Sequence, residues 1–141
     1  MSVNKSVRDT LASDAYLKKQ QADKDLPKYP GFLATAQKNL KKLYDAGVRV
    51  GFATDSGPPA RFSGFFEHKE MELMVQAGFT PAQIITIFSK NSAEFLGWQK
   101  DLGTLEAGHW ADLVVLTKNP LTDIRNAQAI DSVYIAGNKV R

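Results

Sequence analysis

Asp55 has the most conspicuous setting of any acid in this 141-residue sequence. It closes the stretch VRVGFATDSG, residues 48–57, where strand-forming apolar residues give way to Thr54, Asp55, Ser56 and Gly57. A carboxylate at the mouth of a buried strand loses hydration, which costs free energy unless something compensates. In such a place it could ligate a metal, act as a general base or accept a phosphoryl group. The competing role is that of a turn residue whose side chain accepts backbone N–H bonds from the following loop. Taken alone, a single acid before Ser-Gly favours the turn role.

Its potential partners are sparse. His68 and Glu70 in EHKEME stand at i, i+2, and on a helix such side chains diverge by about 200°, so they cannot share an ion unaided. Glu67 and Glu70 fit the acidic first turn that the helix dipole favours. His109, in EAGHWADL, occupies a turn beside Trp110, and Arg61 lies in a Pro-rich loop where a guanidinium could bind a carboxylate. Ser56 has no histidine base in its segment, which disfavours a Ser-His-Asp triad. GFATDSG is not G-x-G-x-x-G, and no Walker motif occurs. With two histidines and no cysteine, a self-contained hydrolytic zinc site of three protein ligands plus water is out of reach.

The elements that must position these residues can be read along the chain. Residues 1–30 form a polar segment with one short helix in DAYLKKQQADKD, closed by LPKYPG. From Phe32 onward, Leu33, Ala36, Leu40 and Leu43 recur at helical spacing, and Gly47 stops that helix. VRVGFA follows as a strand, residues 56–64 as a loop, and a helix spans residues 66–77. Thr80-Pro81-Ala82-Gln83 supplies an N-cap, a proline at the first helical position and a capping-box glutamine. Asn91-Ser92-Ala93-Glu94 predicts the start of a further helix, with Ile84, Ile85, Phe88, Phe95 and Leu96 on the buried side. ADLVVL, 111–116, reads as a strand, and SVYIAGNKVR, 132–141, as two strands around a Gly137-Asn138 turn. A boundary falls near residue 99. Helix, strand, loop, helix over residues 31–77 is α/β organisation, in which the strand's C-terminal end, here Asp55, faces the functional loops.

Composition narrows the classes. The chain is 43% hydrophobic and 23% charged, which argues for a globular domain rather than disorder. The net charge of +3 comes from scattered rather than clustered lysines, so no nucleic-acid partner is expected. No apolar run reaches the roughly eighteen residues of a membrane span, and the first ten residues lack a signal-peptide core. No membrane partner is expected, and the location is cytoplasmic by default.

Together, AGVRVGFATDSG, HKEMELMVQAGFTPAQIITIFSKNSAEFLG, DLGTLEAGHWADLVVLTKNPLTDI and IDSVYIAGNKV resemble the amidohydrolase superfamily, in its imidazolonepropionase-like and prolidase-like branch. The resemblance spans residues 31–141, with several motifs in the right order. It implies the C-terminal portion of a (β/α)8 TIM-like barrel: residues 31–99 as the last βα units, and 100–141 as part of a small β-sandwich. Residues 1–30 would be the loop leading into the penultimate helix. It further implies one or two divalent metals, commonly zinc, whose bound water attacks an amide-like carbon. Asp55 matches the aspartate that ends the last barrel strand, where it is metal ligand and catalytic proton shuttle. Ser56 and His68 would line the substrate pocket.

The family's His-x-His pair and its other ligands have no counterparts here. The chain is therefore expected to be a truncation, a split-gene product or an expressed piece, inactive alone. The implied hydrolase would act on carbon–nitrogen bonds of cyclic amides, N-acyl compounds or X-Pro dipeptides, with a complementing N-terminal segment or a homo-oligomer as partner. The alternative is a non-catalytic remnant module that self-associates or complements a partner chain. A phospho-acceptor domain is disfavoured, because the doubly wound strand set is missing.

Overall fold

The computed structural model describes residues 4–57 and 60–141. The chain is mixed α/β, with its helices in the first two thirds and a small antiparallel sheet at the end. The N-terminal segment holds two helices rather than one, α1 (Lys5–Leu11) and α2 (Asp14–Gln21). Asn4 and Ser13 cap them by accepting the N–H groups of Ser6 and Tyr16. Neither helix buries a residue, as its polar composition dictates.

A 3₁₀ turn at Leu26–Lys28 leads into α3 (Tyr29–Asp45), where Pro30 occupies the first turn without losing a bond. α4 (Phe65–Gln76), α5 (Pro81–Thr86) and α6 (Ser92–Phe95) complete the helical part. Their core is a cluster of Met71, Met74, Phe79, Ile84, Ile87 and Ile124. Leu40 and Tyr44 of α3 pack against it, the Tyr44 ring meeting Phe79 edge-on at 5.0 Å. Ile124 sits in a 3₁₀ turn (Ile124–Gln128), so the C-terminal segment is fastened to α4 by one buried aliphatic.

Three expectations are corrected here. First, residues 48–53 form no strand; among the described residues no neighbouring strand offers a ladder. Second, Asn91 does not open a new helix. A π turn, Ile87–Asn91, joins α5 to α6, and Asn91 is itself helical (φ −65°) with no capping bond. The π turn inserts residues into the helical phase, so Ile87 is fully buried while Phe88, Phe95 and Leu96 are exposed. Third, the apolar stripe of α3 is only partly covered. Leu33, Leu40 and Leu43 line an open groove of about 400 Å³ with Leu73, Met74 and Glu70 of α4.

The sheet order is β1 (Leu113–Leu116), β2 (Ile130–Ile135), β3 (Asn138–Lys139). Register pairs Val114 with Val133 and Ile135 with Asn138. The tight turn is Ala136-Gly137, one residue earlier than the expected Gly137-Asn138. Both residues have positive φ, +48° and +78°, the type I′ signature that matches strand twist. Ala136 tolerates that conformation because the Asp112 carboxylate accepts its N–H at 2.6 Å.

Candidate functional site

The stretch 49–56 has no backbone–backbone hydrogen bond among the described residues, so side chains must hold it. The π turn and α6 supply them. Asn91 Nδ2 donates to the Val50 carbonyl at 3.0 Å, and the Phe52 N–H donates to Ser92 Oγ at 3.0 Å. Ser92 Oγ in turn donates to the Ile87 carbonyl at 2.9 Å, the i−5 carbonyl that a π turn presents. Phe52 also meets Phe88 edge-on at 5.0 Å. At the rim of this clamp, Arg49 reaches Glu94 at 2.9 Å, an exposed pair of small energetic weight.

Beyond Phe52 the chain turns at Asp55, whose φ of +52° lies in the left-handed region that aspartate tolerates better than most residues. The turn is held from below by Glu67 of α4. Thr54 Oγ1 and Ser56 Oγ donate to Glu67 Oε1 at 3.0 and 2.9 Å, and the two hydroxyls lie 2.8 Å apart. Glu67 Oε2 accepts the Gly64 N–H at the start of α4, the reach-back of a capping box. Burial alone pushes the Glu67 carboxyl up. Hydrogen bonds from its own N–H, Ser56, Thr54 and the Gly64 N–H outweigh that and hold it below the ordinary glutamate value.

The predicted site residues are distributed as follows. The Asp55 carboxylate is mostly exposed, at 79% of its side-chain surface, and pairs with Arg61 across its own loop. It is open to solvent rather than enclosed by a cavity. Ser56 is half-buried and committed to Thr54 and Glu67. His68 follows Glu67 on α4; it is half-buried, and its Nδ1 is fully buried with no hydrogen-bond partner. Glu70, lining the α3–α4 groove, is pushed up by burial. His109 contacts Thr104 at 3.2 Å in the C-terminal segment and takes no part.

The sequence marks Glu67 only as a dipole partner, whereas in the structure it is the keystone of the Asp55 turn. The usable signal was Gly64-x-x-Glu67, a capping-box spacing directly after a loop. Asn91, expected as an N-cap, tethers the Val50 carbonyl instead, and Ser92 beside it holds the Phe52 N–H.

Residues 4–140 match the model of the amidohydrolase family, and the chain belongs to that family. It is 31% identical over 115 residues to the imidazolonepropionase of Shouchella clausii (strain KSM-K16), covering 82% of this chain and 24% of that protein. It is 30% identical over 110 residues to a 5-methylthioadenosine/S-adenosylhomocysteine deaminase of Bacillus thuringiensis (strain Al Hakam), covering 72% of this chain and 25% of the deaminase. The crystal structure of a Xaa-Pro dipeptidase with bound methionine in the active site superposes with a TM-score of 0.69 at 26% identity, covering 96% of this chain and 33% of that one. The chain thus spans about a quarter of the length of the curated relatives it matches.

The family generally binds divalent metals. The donors on this chain do not fit one. Among the described residues no group of three or more histidines and carboxylates converges. Asp55 is held by a guanidinium, and the unpartnered Nδ1 of His68 is a lone donor.

Proposed function

We propose that this chain is the C-terminal portion of a (β/α)8 metal-dependent hydrolase acting on carbon–nitrogen bonds of cyclic amide, N-acyl or X-Pro dipeptide substrates. Residues 31–99 would be its last βα units and residues 100–141 part of a β-sandwich. The supporting observation is the Asp55 turn, an open carboxylate on a left-handed turn, tethered on both sides by side chains of two different helices. In this reading Asp55 takes a proton from the attacking water and returns it to the leaving nitrogen. Ser56 and His68 line the pocket from the α4 side. The metal, zinc by family habit, would be held chiefly by residues outside this chain, and the isolated 141-residue chain is inactive.

The test is direct. The purified chain is assayed for bound zinc and for hydrolysis of Xaa-Pro dipeptides and N-acyl amino acids; neither is expected. It is then mixed with the separately expressed remainder of the Xaa-Pro dipeptidase relative. Hydrolysis that appears on mixing and disappears with Asp55→Asn supports the reading. Stoichiometric zinc and hydrolysis by the chain alone would overturn the inactivity. Absence of hydrolysis in every combination would favour the second reading, a non-catalytic module, for which the open apolar groove between α3 and α4 speaks.

A further inference from the structure

The residue that gives the Asp55 turn its shape lies twelve positions away, on another element. We propose that Glu67 is a positioning residue for Asp55, a single carboxylate that locks the loop before α4 and the first turn of α4 into one unit. This rests on the functional reading of Asp55 above. Asp55 makes no hydrogen bond to Glu67, so the action is indirect, through its two neighbours.

The geometry carries the argument. Thr54 and Ser56 flank Asp55, and both hydroxyls converge on the same oxygen, Glu67 Oε1. While its two neighbours are gathered on one acceptor, the Asp55 side chain stays mostly exposed to solvent. A non-glycine residue at φ +52° is strained and persists only where its surroundings over-determine it. The shared acceptor is that over-determination.

The second oxygen does separate work. Glu67 Oε2 accepts the Gly64 N–H, and Gly64 has a φ of +85°, a conformation that glycine adopts without strain. The carboxylate therefore ties the end of the loop to its beginning. It does so in its ionised form, whose charge strengthens every one of these bonds.

Division of labour between the two oxygens makes the proposal testable by substitution. Glu67→Gln keeps one acceptor, which its amide can turn to the Gly64 N–H while its NH₂ donates to the Thr54 and Ser56 hydroxyl oxygens, but it removes the charge. Glu67→Ala removes both acceptors. Thr54→Val with Ser56→Ala removes the donors and leaves the Gly64 bond. Each is made in the full chain and followed by NMR, reading the Asp55 ¹³Cα and ¹³Cβ shifts, the Arg61 Nη–H resonances and Gly64 amide exchange. Urea unfolding monitors the fold.

We expect Glu67→Ala to abolish the left-handed shift pattern at Asp55, release the Arg61 Nη–H signals and speed Gly64 exchange about tenfold. Glu67→Gln is expected to retain the Asp55 pattern and the Gly64 bond, with Gly64 exchange between that of the parent and that of Glu67→Ala because the charge is gone. The Thr54/Ser56 double variant is expected to lose the Asp55 pattern and keep the Gly64 protection. Should Glu67→Ala fail to fold, the other two variants decide between these patterns. A folded Glu67→Ala protein with unchanged Asp55 and Arg61 signals would overturn the proposal, as would a double variant that leaves Asp55 undisturbed. None of these readouts depends on hydrolysis, so failure of the catalytic reading would leave them intact and be seen separately in the mixing assay.

Discussion

Ser92→Ala is the perturbation that bears hardest on how the Asp55 segment is held. Ser92 Oγ accepts the Phe52 N–H at 3.0 Å and donates to the Ile87 carbonyl at 2.9 Å. Removing it orphans a half-buried N–H, which costs about 1–3 kcal/mol. Phe52 is only partly covered, so water can recover some of that loss and the lower half of the range applies. Alanine also returns about 0.5 kcal/mol through its better helix propensity. The net is about 1 kcal/mol, on the order of a fivefold increase in local opening. Hydrogen exchange read by NMR should show about that acceleration at Phe52, with a midpoint drop of a few degrees in thermal unfolding. Tyr134, in the C-terminal sheet, should be affected far less. Unchanged exchange at Phe52, or equal acceleration at Phe52 and Tyr134, would refute the claim that this hydroxyl clamps the segment.

The remaining predictions concern packing and charge. Gly103→Ala should destabilise by about 3 kcal/mol in urea unfolding, because φ is +97° and the new methyl would lie 2.6 Å from Ala93 Cβ. Ile84 is fully buried in the main cluster, so Ile84→Ala should cost about 2–5 kcal/mol and Ile84→Val about 1 kcal/mol by the same measurement. Burial raises Glu70, so the folded chain holds that proton more readily than the unfolded chain, and stability falls as pH rises through the ordinary carboxylate range. Glu70→Gln should therefore be more stable than the parent at pH 7, with no gain below that range in a pH series of unfolding curves. Glu67 is held low, so its contribution is complete above the unfolded carboxyl value and is lost as pH falls through the folded one. A pH series on Glu67→Gln should show that acid-side loss diminished.

Features governed by short-range physics were open to reading. Thr80 accepts the Gln83 N–H, and Gln83 Oε1 accepts the Thr80 N–H at 2.9 Å, just as T-P-A-Q spells. The α4 helix, the stop at Gly47 and the strands near 113–116 and 130–139 likewise follow from periodicity and turn residues a few positions apart. The family, too, was legible, because its motifs are strings of neighbours in order.

What the chain alone could not reveal depends on groups brought together from far apart. VRVGFA has the composition of a strand, yet a strand exists only where another lends its ladder, and here Asn91 and Ser92 hold the segment instead. Ile124 joins the core from more than thirty residues beyond Ile87, and the π turn decides which of Ile87 and Phe88 faces inward. Asp55 could be picked out by type and place, but its left-handed turn, its pairing with Arg61 and its dependence on Glu67 are matters of three-dimensional proximity. Local order is written in adjacent residues because their interactions need no search through space. The setting of a carboxylate is not, because it is made by whichever distant groups the fold sets around it.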